Sequence, residues 1–381
     1  MDFDLTEEQR MLKDSVDRWI TENYSFEQRG RHMKCPGGWN REVWARYAEL
    51  GLLGIPFDEA DGGLGGGPIE TMLVMEAFGR GLILEPYLAT VVLAGGLLRL
   101  AGSPGQRRIL VPQIADGSLT LAFAHTERHS RYEIADVSTI ARPDGKSWTL
   151  EGEKIVVHHG DSADKLIISA RTSGSRFDAE GITLFLVAGD AQGVVRRGYP
   201  TQDGLRAADV HLTGVRVSRE DVIGQPGKAH TAIARVVDEA VAAVCAEAVG
   251  AMTALHDLTV EYLKNRRQFG VPIGSFQVLQ HRAVDMLIAL EQARSMAILA
   301  SMAVAEHDAE VRGRHMAAAK AQIGNSCRFI GQEATQLHGG MGLTMEYSGG
   351  HYFKRLTMID SLFGNTAHQL QRLARAGGLA W

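Results

Sequence analysis

The chain has 381 residues, 45% of them hydrophobic, enough to bury a sizeable core in two or three packed units. Its 45 acidic and 40 basic residues leave a net charge of −5, and the lysines and arginines are scattered rather than gathered into a stripe, which makes nucleic acid and an anionic membrane poor partners. The opening Met1-Asp2-Phe3-Asp4 is acidic where a secretory signal is positive, and the apolar run 88–98 falls short of the ~20 residues a bilayer crossing needs, so a cytoplasmic protein is expected.

Residues 1–118 read as helical. Thr6 followed by Gln9 has the spacing of a capping box, and Leu12, Val16, Trp19 and Ile20 then recur at helical intervals. A second helix is expected over 41–50, ending at Gly51, and a third over 69–80. Between them the glycine-rich stretch 61–68 leaves the backbone too free for regular structure and reads as a surface turn; cradling a phosphate is the less favoured use.

From 119 the period shortens. Runs rich in Val, Ile, Leu and Thr at 119–125, 137–142, 165–171 and 182–187 are separated by turn residues, with Pro143-Asp144-Gly145 as a hairpin-like signal. Residues 119–226 therefore read as a small antiparallel β-domain ending near Gly224. Beyond Gly227 the helical period returns in long form, with Ile233, Val237, Ala240, Val244 and Ala248 on one stripe. Further long helices over 276–306 and 312–337 make residues 227–381 a helix bundle.

The three cysteines, Cys35, Cys245 and Cys327, show no C-x-x-C spacing, so neither a disulfide frame nor a zinc site is indicated; Cys245 and Cys327 fall within helical stretches. The histidines at 125 and 129, and at 158 and 159, argue weakly for a metal, because adjacent strand residues face opposite sides. The chain carries no G-x-G-x-x-G, Walker loop, G-x-S-x-G or H-E-x-x-H, so Rossmann-type nucleotide binding is not expected.

Three blocks are more specific. The first is Leu50-Gly51-Leu52-Leu53-Gly54-Ile55-Pro56 followed by Gly62-Gly63-Leu64-Gly65. The second runs from Tyr262 to Met286, with Arg266-Arg267-Gln268-Phe269-Gly270, Ile273-Gly274-Ser275-Phe276-Gln277 and Gln280-His281-Arg282. The third is Gln336-Leu337-His338-Gly339-Gly340-Met341-Gly342. With these blocks in an α, β, α order, nearly the whole chain resembles the acyl-CoA dehydrogenase family. The resemblance implies an α+β fold: an N-terminal helical domain, a middle antiparallel β-domain and a C-terminal four-helix bundle.

It also implies a cofactor, FAD. Arg266 matches the residue that holds the pyrophosphate, a role suited to a guanidinium that can bond two oxygens at once. Phe269 and Gln277 match residues that shape and hydrogen-bond the FAD of a neighbouring subunit. Gln336, Gly339 and Gly340 match the contact to the adenosine side. An ion pair at a helix end for Arg266, and a helix cap for the glycines, are the plainer alternatives. An FAD lying across two subunits implies a dimer or tetramer. Thr126, in Thr126-Glu127, matches the residue beside flavin N5, and Asn365 and Thr366 lie in a further cofactor segment. Asp238 matches an aspartate that binds the pantetheine arm of an acyl-CoA substrate, or else is a lone exposed charge capping a helix start.

The sequence then departs from the pattern. In the family a carboxylate removes the α proton while the β hydrogen leaves as hydride to flavin, and that base is commonly a glutamate in a Tyr-Glu-Gly-Thr segment. Here the segment reads Phe363-Gly364-Asn365-Thr366. The second seat used by relatives corresponds to Ala240, and Val241 stands where they carry an arginine. Both seats are empty, although the main-chain N–H of Gly364 remains to polarise the thioester carbonyl. The segment that normally covers the isoalloxazine reads Val156-Val157-His158, and Arg131-Tyr132-Glu133 replaces a Gly-Ser-Asp.

Met1 to Arg10, Tyr199 to Leu205 and Phe269 to Met286 most resemble the subgroup of pimeloyl-CoA dehydrogenase small subunits, which pair with a separate large subunit. The expectation is a heteromeric dehydrogenase of dicarboxylic or bulky acyl-CoA thioesters that passes electrons to an electron-transfer flavoprotein. Three alternatives stay open: a homotetramer using Glu239 or Asp238 as base, a flavin oxidase or monooxygenase, and a non-catalytic structural subunit.

Overall fold

A computed structural model describes residues 4–377. Met1, Asp2 and Phe3, on which part of the leader argument rests, lie outside the described residues. Thr6 closes a complete capping box at the start of α1 (Glu7–Asn23): its hydroxyl accepts from the Gln9 N–H at 3.2 Å, and the Gln9 side chain accepts from the Thr6 N–H at 3.0 Å. Next come α2 (Phe26–His32), α3 (Arg41–Glu49) and α4 (Pro68–Gly81). The apolar run beginning at Leu88 forms a π-helical stretch, Leu88–Ala94, that continues into α5 (Gly95–Ala101) and is buried within the fold. A second capping box, at Ser103, opens α6 (Pro104–Ala115).

The strands are β1 (Leu121–Ala124), β2 (Ile140–Asp144), β3 (Ser147–His158), β4 (Lys165–Arg171), β5 (Ile182–Ala188), β6 (Val194–Pro200), β7 (Arg206–Ser218) and β8 (Val222–Ile223). They form one sheet in the order β6-β7-β3-β2-β4-β5-β8, with β1 beside β4. Every pairing is antiparallel except β1 with β4 and β2 with β4. Leu150, Leu166, Ile168, Phe185, Val210 and Val215 are fully buried at its centre. Strands β3 and β7 escape the apolar-run reading because charged residues, among them Glu151, Glu153, Lys154, Asp209 and Arg216, interrupt them.

The remainder is α7 (His230–Asn265), a small hairpin of β9 (Arg267–Gln268) and β10 (Val271–Pro272), then α8 (Gln277–Ala303), α9 (Ala309–His338), α10 (Ser348–Ser361) and α11 (Thr366–Arg375). Cys245 and Cys327 are buried in α7 and α9 as free thiols.

The chain divides into two compact units. One comprises the residues up to Arg31, Pro68–Ile83 and the chain from Val241 on; the other comprises His32–Gly67 and Leu84–Ala240. Within the first, α4 and α7 cross backbone to backbone. A Cβ added to Gly79 would lie 1.9 Å from the Glu247 carbonyl oxygen, and one added to Gly250 would lie 1.8 Å from that of Glu76. The Arg355 guanidinium meets the Glu247 carboxylate through two bonds of 2.6 Å, both residues buried, a bidentate geometry that offsets the loss of water. Among the described residues one helix, α8, is long and apolar enough by composition to cross a membrane, but Met286, Leu290, Ala293, Ala297 and Ala300 bury one side of it in the bundle.

Candidate functional site

In the unit that holds the bundle, Arg266 follows the last residue of α7. Its N–H donates to the Tyr262 carbonyl and its own carbonyl accepts from the Ile273 N–H, both at 2.8 Å. The backbone is thereby fixed, while the guanidinium is exposed and makes no hydrogen bond or ion pair among the described residues. Phe269 stands at the hairpin tip, 88% exposed and at φ +53°, a conformation that costs a bulky residue energy. Gln277 opens α8 with an exposed, unpartnered amide.

Near the end of α9, Gln336 is likewise exposed and unpartnered. A Cβ built on Gly339 or Gly340 would meet nothing within 4 Å, so no crowding inside the chain requires glycine there. His338 ties this segment to α7. Its ring centroid lies 4.6 Å from that of Tyr262 and 5.0 Å from that of Tyr347. Its Nδ1 is 2.8 Å from the Ala334 carbonyl and therefore donates, leaving Nε2 to accept from the Tyr347 hydroxyl at 2.7 Å. Burial lowers the His338 pKa, which keeps the ring neutral, and pushes the Tyr347 phenol up to about 12.

The two late blocks thus meet, with Arg266 four residues beyond Tyr262 and Gln336 two before His338. The Arg266 guanidinium and the Gln277 and Gln336 amides have no partner among the described residues, and the Gly339 and Gly340 backbones are open to close approach. That set fits the diphosphate and adenosine half of FAD, which needs charge-assisted donors and close backbone approach. The plainer reading of Arg266 as a helix-end ion pair has no acid partner among the described residues. Beside this face, α8 exposes Val278, Val284, Leu287 and Ile288.

The segment 363–366 is built differently. Phe363 and Gly364 take φ +54° and +104°. Asn365 caps α11 by accepting from the His368 N–H at 3.0 Å, and the Thr366 hydroxyl donates to Asp360 Oδ1 at 2.7 Å, so both expected cofactor contacts have side chains engaged within the chain. The Phe363 carbonyl accepts from Gln369 Nε2 at 2.9 Å; that of Gly364 accepts from Gln369 Nε2 at 3.3 Å and from Lys320 Nζ at 3.2 Å. Gly364 is buried, and its N–H has no acceptor among the described residues. A Cβ at this position would lie 2.5 Å from Gln369 Nε2 and 2.6 Å from His368 Cδ2. Position 364 therefore carries no carboxylate, and the space beside it is packed by neighbours.

In the other unit, the candidate bases on α7 are not free. Glu239 is paired with Arg99 at 2.5 Å and with Arg235 at 3.6 Å, which corrects its reading as an available base. Asp238 is 6% exposed and lies eight residues beyond His230, so it is neither an exposed charge nor a cap. Ala240 is fully buried.

Thr126 follows β1 and is half-buried, its carbonyl accepting from the Ile155 N–H at 2.8 Å. The next residue anchors a network that sequence reasoning missed. Buried Glu127 accepts from Lys154 Nζ at 2.7 Å, from the Thr139 N–H at 2.9 Å, from the Ser138 N–H at 2.8 Å and from the Ser138 hydroxyl. Burial alone would raise its pKa; the Lys154 ammonium and the Ser138 and Thr139 donors outweigh this and hold it at about 2. Burial pulls Lys154 down to about 8, against the opposing pull of Glu127, so the pair remains charged at neutral pH. Lys154 also donates to the Ser169 hydroxyl at 3.1 Å, and His125 Nδ1 lies 2.8 Å from the same oxygen. Burial, then the Lys154 charge, lowers His125 to about 3 and keeps it neutral.

Val156, in the segment that the resemblance sets over the isoalloxazine, sits at φ +51° in a bulge, the register shifting between Lys154 and Val157. Its N–H reaches Asp209 Oδ1 at 3.4 Å, an oxygen that also accepts from the Tyr199 hydroxyl at 3.0 Å. A β-branched residue at positive φ is an outlier, and no sequence signal announces it.

Comparison with known proteins gives the family. Family models for the acyl-CoA dehydrogenase N-terminal, middle and C-terminal domains match residues 6–118, 122–217 and 231–378. The Bacillus subtilis (strain 168) protein named "Probable acyl-CoA dehydrogenase YngJ" is 28% identical over 381 residues, covering 99% of both chains. Among solved structures, a Tcur3481-Tcur3483 steroid ACAD variant superposes with a TM-score of 0.87 at 28% identity, covering 97% of each chain. The ChsE4-ChsE5 complex from Mycobacterium tuberculosis does so with a TM-score of 0.87 at 25% identity, covering 98% of each. The chain belongs to the acyl-CoA dehydrogenase family of FAD-dependent oxidoreductases.

Proposed function

We propose that this chain is the base-less subunit of a heteromeric acyl-CoA dehydrogenase, of the pimeloyl-CoA dehydrogenase small-subunit kind, acting on a dicarboxylic or otherwise bulky acyl-CoA. The observation that carries the reading is the seat at Gly364, where Gln369 and His368 occupy the space a side chain would need. Paired Glu239 and buried Asp238 support it, since neither offers a free carboxylate. Two of the similar structures are named for two gene products, and one for steroid chemistry, which favours a paired assembly and a bulky acyl group.

Bound FAD supplies the acceptor for the hydride leaving the β carbon. Arg266 grips the diphosphate of a flavin belonging to the adjoining protomer, with Gln277 and Phe269 beside it. Gln336, Gly339 and Gly340 take the adenosine side. The exposed apolar residues of α8 are where that protomer packs. The partner supplies the carboxylate that removes the α proton, and electrons pass on to an electron-transfer flavoprotein. In this chain's own pocket the Gly364 N–H donates to a thioester carbonyl that nothing nearby deprotonates. The assembly is cytoplasmic.

The test is turnover. Dehydrogenase activity with an artificial electron acceptor should be absent from this polypeptide alone and present when a large subunit is co-expressed with it. Full activity from the polypeptide alone would refute the reading.

A further inference from the structure

Lys320 is a fully buried lysine with no carboxylate among its hydrogen-bond partners. It lies on α9 in line with Met316, Ile323 and Cys327, all buried, an apolar stripe on which an ammonium is costly. Its charge is spent on two main-chain carbonyls, those of Asp360 at 2.9 Å and Gly364 at 3.2 Å. Other titratable groups interact with it without bonding to it: Cys245 from α7, Cys327 from its own helix and Asp360 from α10. The Asp360 carboxylate is itself committed to Thr366 and to Arg328, the latter at 3.2 Å. From α11, fully buried Gln369 adds an amide on the carbonyls of Phe363 and Gly364.

We infer that Lys320 and Gln369 are positioning residues, whose donors clamp the two peptides that meet at Gly364, Gln369 on the Phe363 carbonyl and both on the Gly364 carbonyl, and hold the buried Gly364 N–H ready for a thioester carbonyl. The inference rests on the proposed function and deepens it: this chain keeps a working carbonyl-polarising pocket although it has no base. Two consecutive residues at positive φ will relax unless something fixes them, and here three hydrogen bonds fix their carbonyls while the buried Gly364 N–H has no acceptor among the described residues. An oxyanion-type donor works only when it is held in place before the ligand arrives. Lys320 does not touch the ligand; it acts through the peptide.

The test uses the co-purified assembly with its flavin. The probe is a conjugated aromatic enoyl-CoA thioester, whose absorption band moves to longer wavelength as its carbonyl is polarised. Lys320→Met and Gln369→Met are compared with the wild type, so that the partner's own pockets contribute equally to each. Lys320→Met should keep the flavin content and circular dichroism and change probe affinity no more than a few-fold, while the red-shifted band loses about half its amplitude, the share belonging to this chain. Gln369→Met, which buries no charge and tests the same clamp should Lys320→Met misfold, should lose less. Lys320→Arg, which restores a cationic donor, should recover part of the lost amplitude. Bands of wild-type amplitude in a folded Lys320→Met or Gln369→Met assembly would overturn the inference alone. A wild-type assembly that leaves the probe's band unmoved would overturn both the inference and the functional reading beneath it.

Discussion

Two regions of the bundle unit treat their polar groups in opposite ways. Around Arg266 and Gly339 the chain spends hydrogen bonds on its backbone and leaves a guanidinium and two amides unpaired. Around Gly364 almost everything is paired inside: Asn365 with His368, Thr366 with Asp360, and Lys320 and Gln369 with carbonyls. Unpaired exposed donors cost little in water, so a surface can keep them for a partner, whereas a buried donor must be satisfied or have a reason not to be. The open face is equipped to meet a group from outside the chain. The closed segment at Gly364 carries no carboxylate, and its space is filled by groups that stabilise it.

That contrast predicts where substitutions hurt the fold and where they hurt only binding. The largest effect is expected in the other unit, at a second closed network. Glu127→Gln removes one partner of a buried ion pair and should cost ~3–5 kcal/mol in denaturant unfolding. It should also flatten the acid limb of stability. A carboxyl held at about 2 in the folded chain, below the ~4.3 of an unfolded glutamate, stabilises the fold above the unfolded value and loses that contribution as pH falls through about 2. If Glu127→Gln leaves the unfolding curve at pH 3 in the same relation to pH 7 as in the wild type, Glu127 does not carry this term.

Next, Gly364→Glu supplies a carboxylate but not the space for it. With φ +104° and Gln369 displaced from two carbonyls, it should destabilise by ~2–4 kcal/mol, and the chain alone should still show no dehydrogenase activity. Activity with unchanged stability would mean that the seat is open after all. At the open face, Arg266→Ala should move stability by less than ~0.5 kcal/mol, yet lower FAD retention by the assembly ten- to a hundred-fold, as loss of a charge-assisted contact of ~1.5–3 kcal/mol implies. Gln277→Ala, a neutral amide, should lower it only about three- to ten-fold on the same scale. Equilibrium dialysis read by flavin fluorescence measures both.

Much of this architecture is legible in the sequence. Strong helical periods placed α1, α4, α8 and α9 to within a few residues, and the Thr6 and Gln9 pair fixed one helix start. What remained hidden depends on pairs far apart in the chain. Glu239 looked available because Arg99, 140 residues away, is invisible to local reading. Asp238 reads as an exposed charge near a helix start, but it lies eight residues into the helix that begins at His230 and is buried by packing that no local pattern shows. Lys320 could have been noticed, since it lies between alanines on the stripe of Met316, Ile323 and Cys327, where a lysine needs an explanation. The bulge at Val156 has no such signal, because nothing in Lys154-Ile155-Val156-Val157 calls for a positive φ.

The central claim is that the chain lends its exposed guanidinium and amides to a neighbour's flavin while its own catalytic seat is closed. The direct measurement is the ratio of FAD to each polypeptide, by absorbance and quantitative amino-acid analysis, in the assembly purified with its natural partners. The account predicts that flavin is present and that the Arg266→Ala assembly, of the same size, loses it. An assembly of wild type and partners containing no flavin, or an Arg266→Ala assembly with its flavin undiminished, would contradict it.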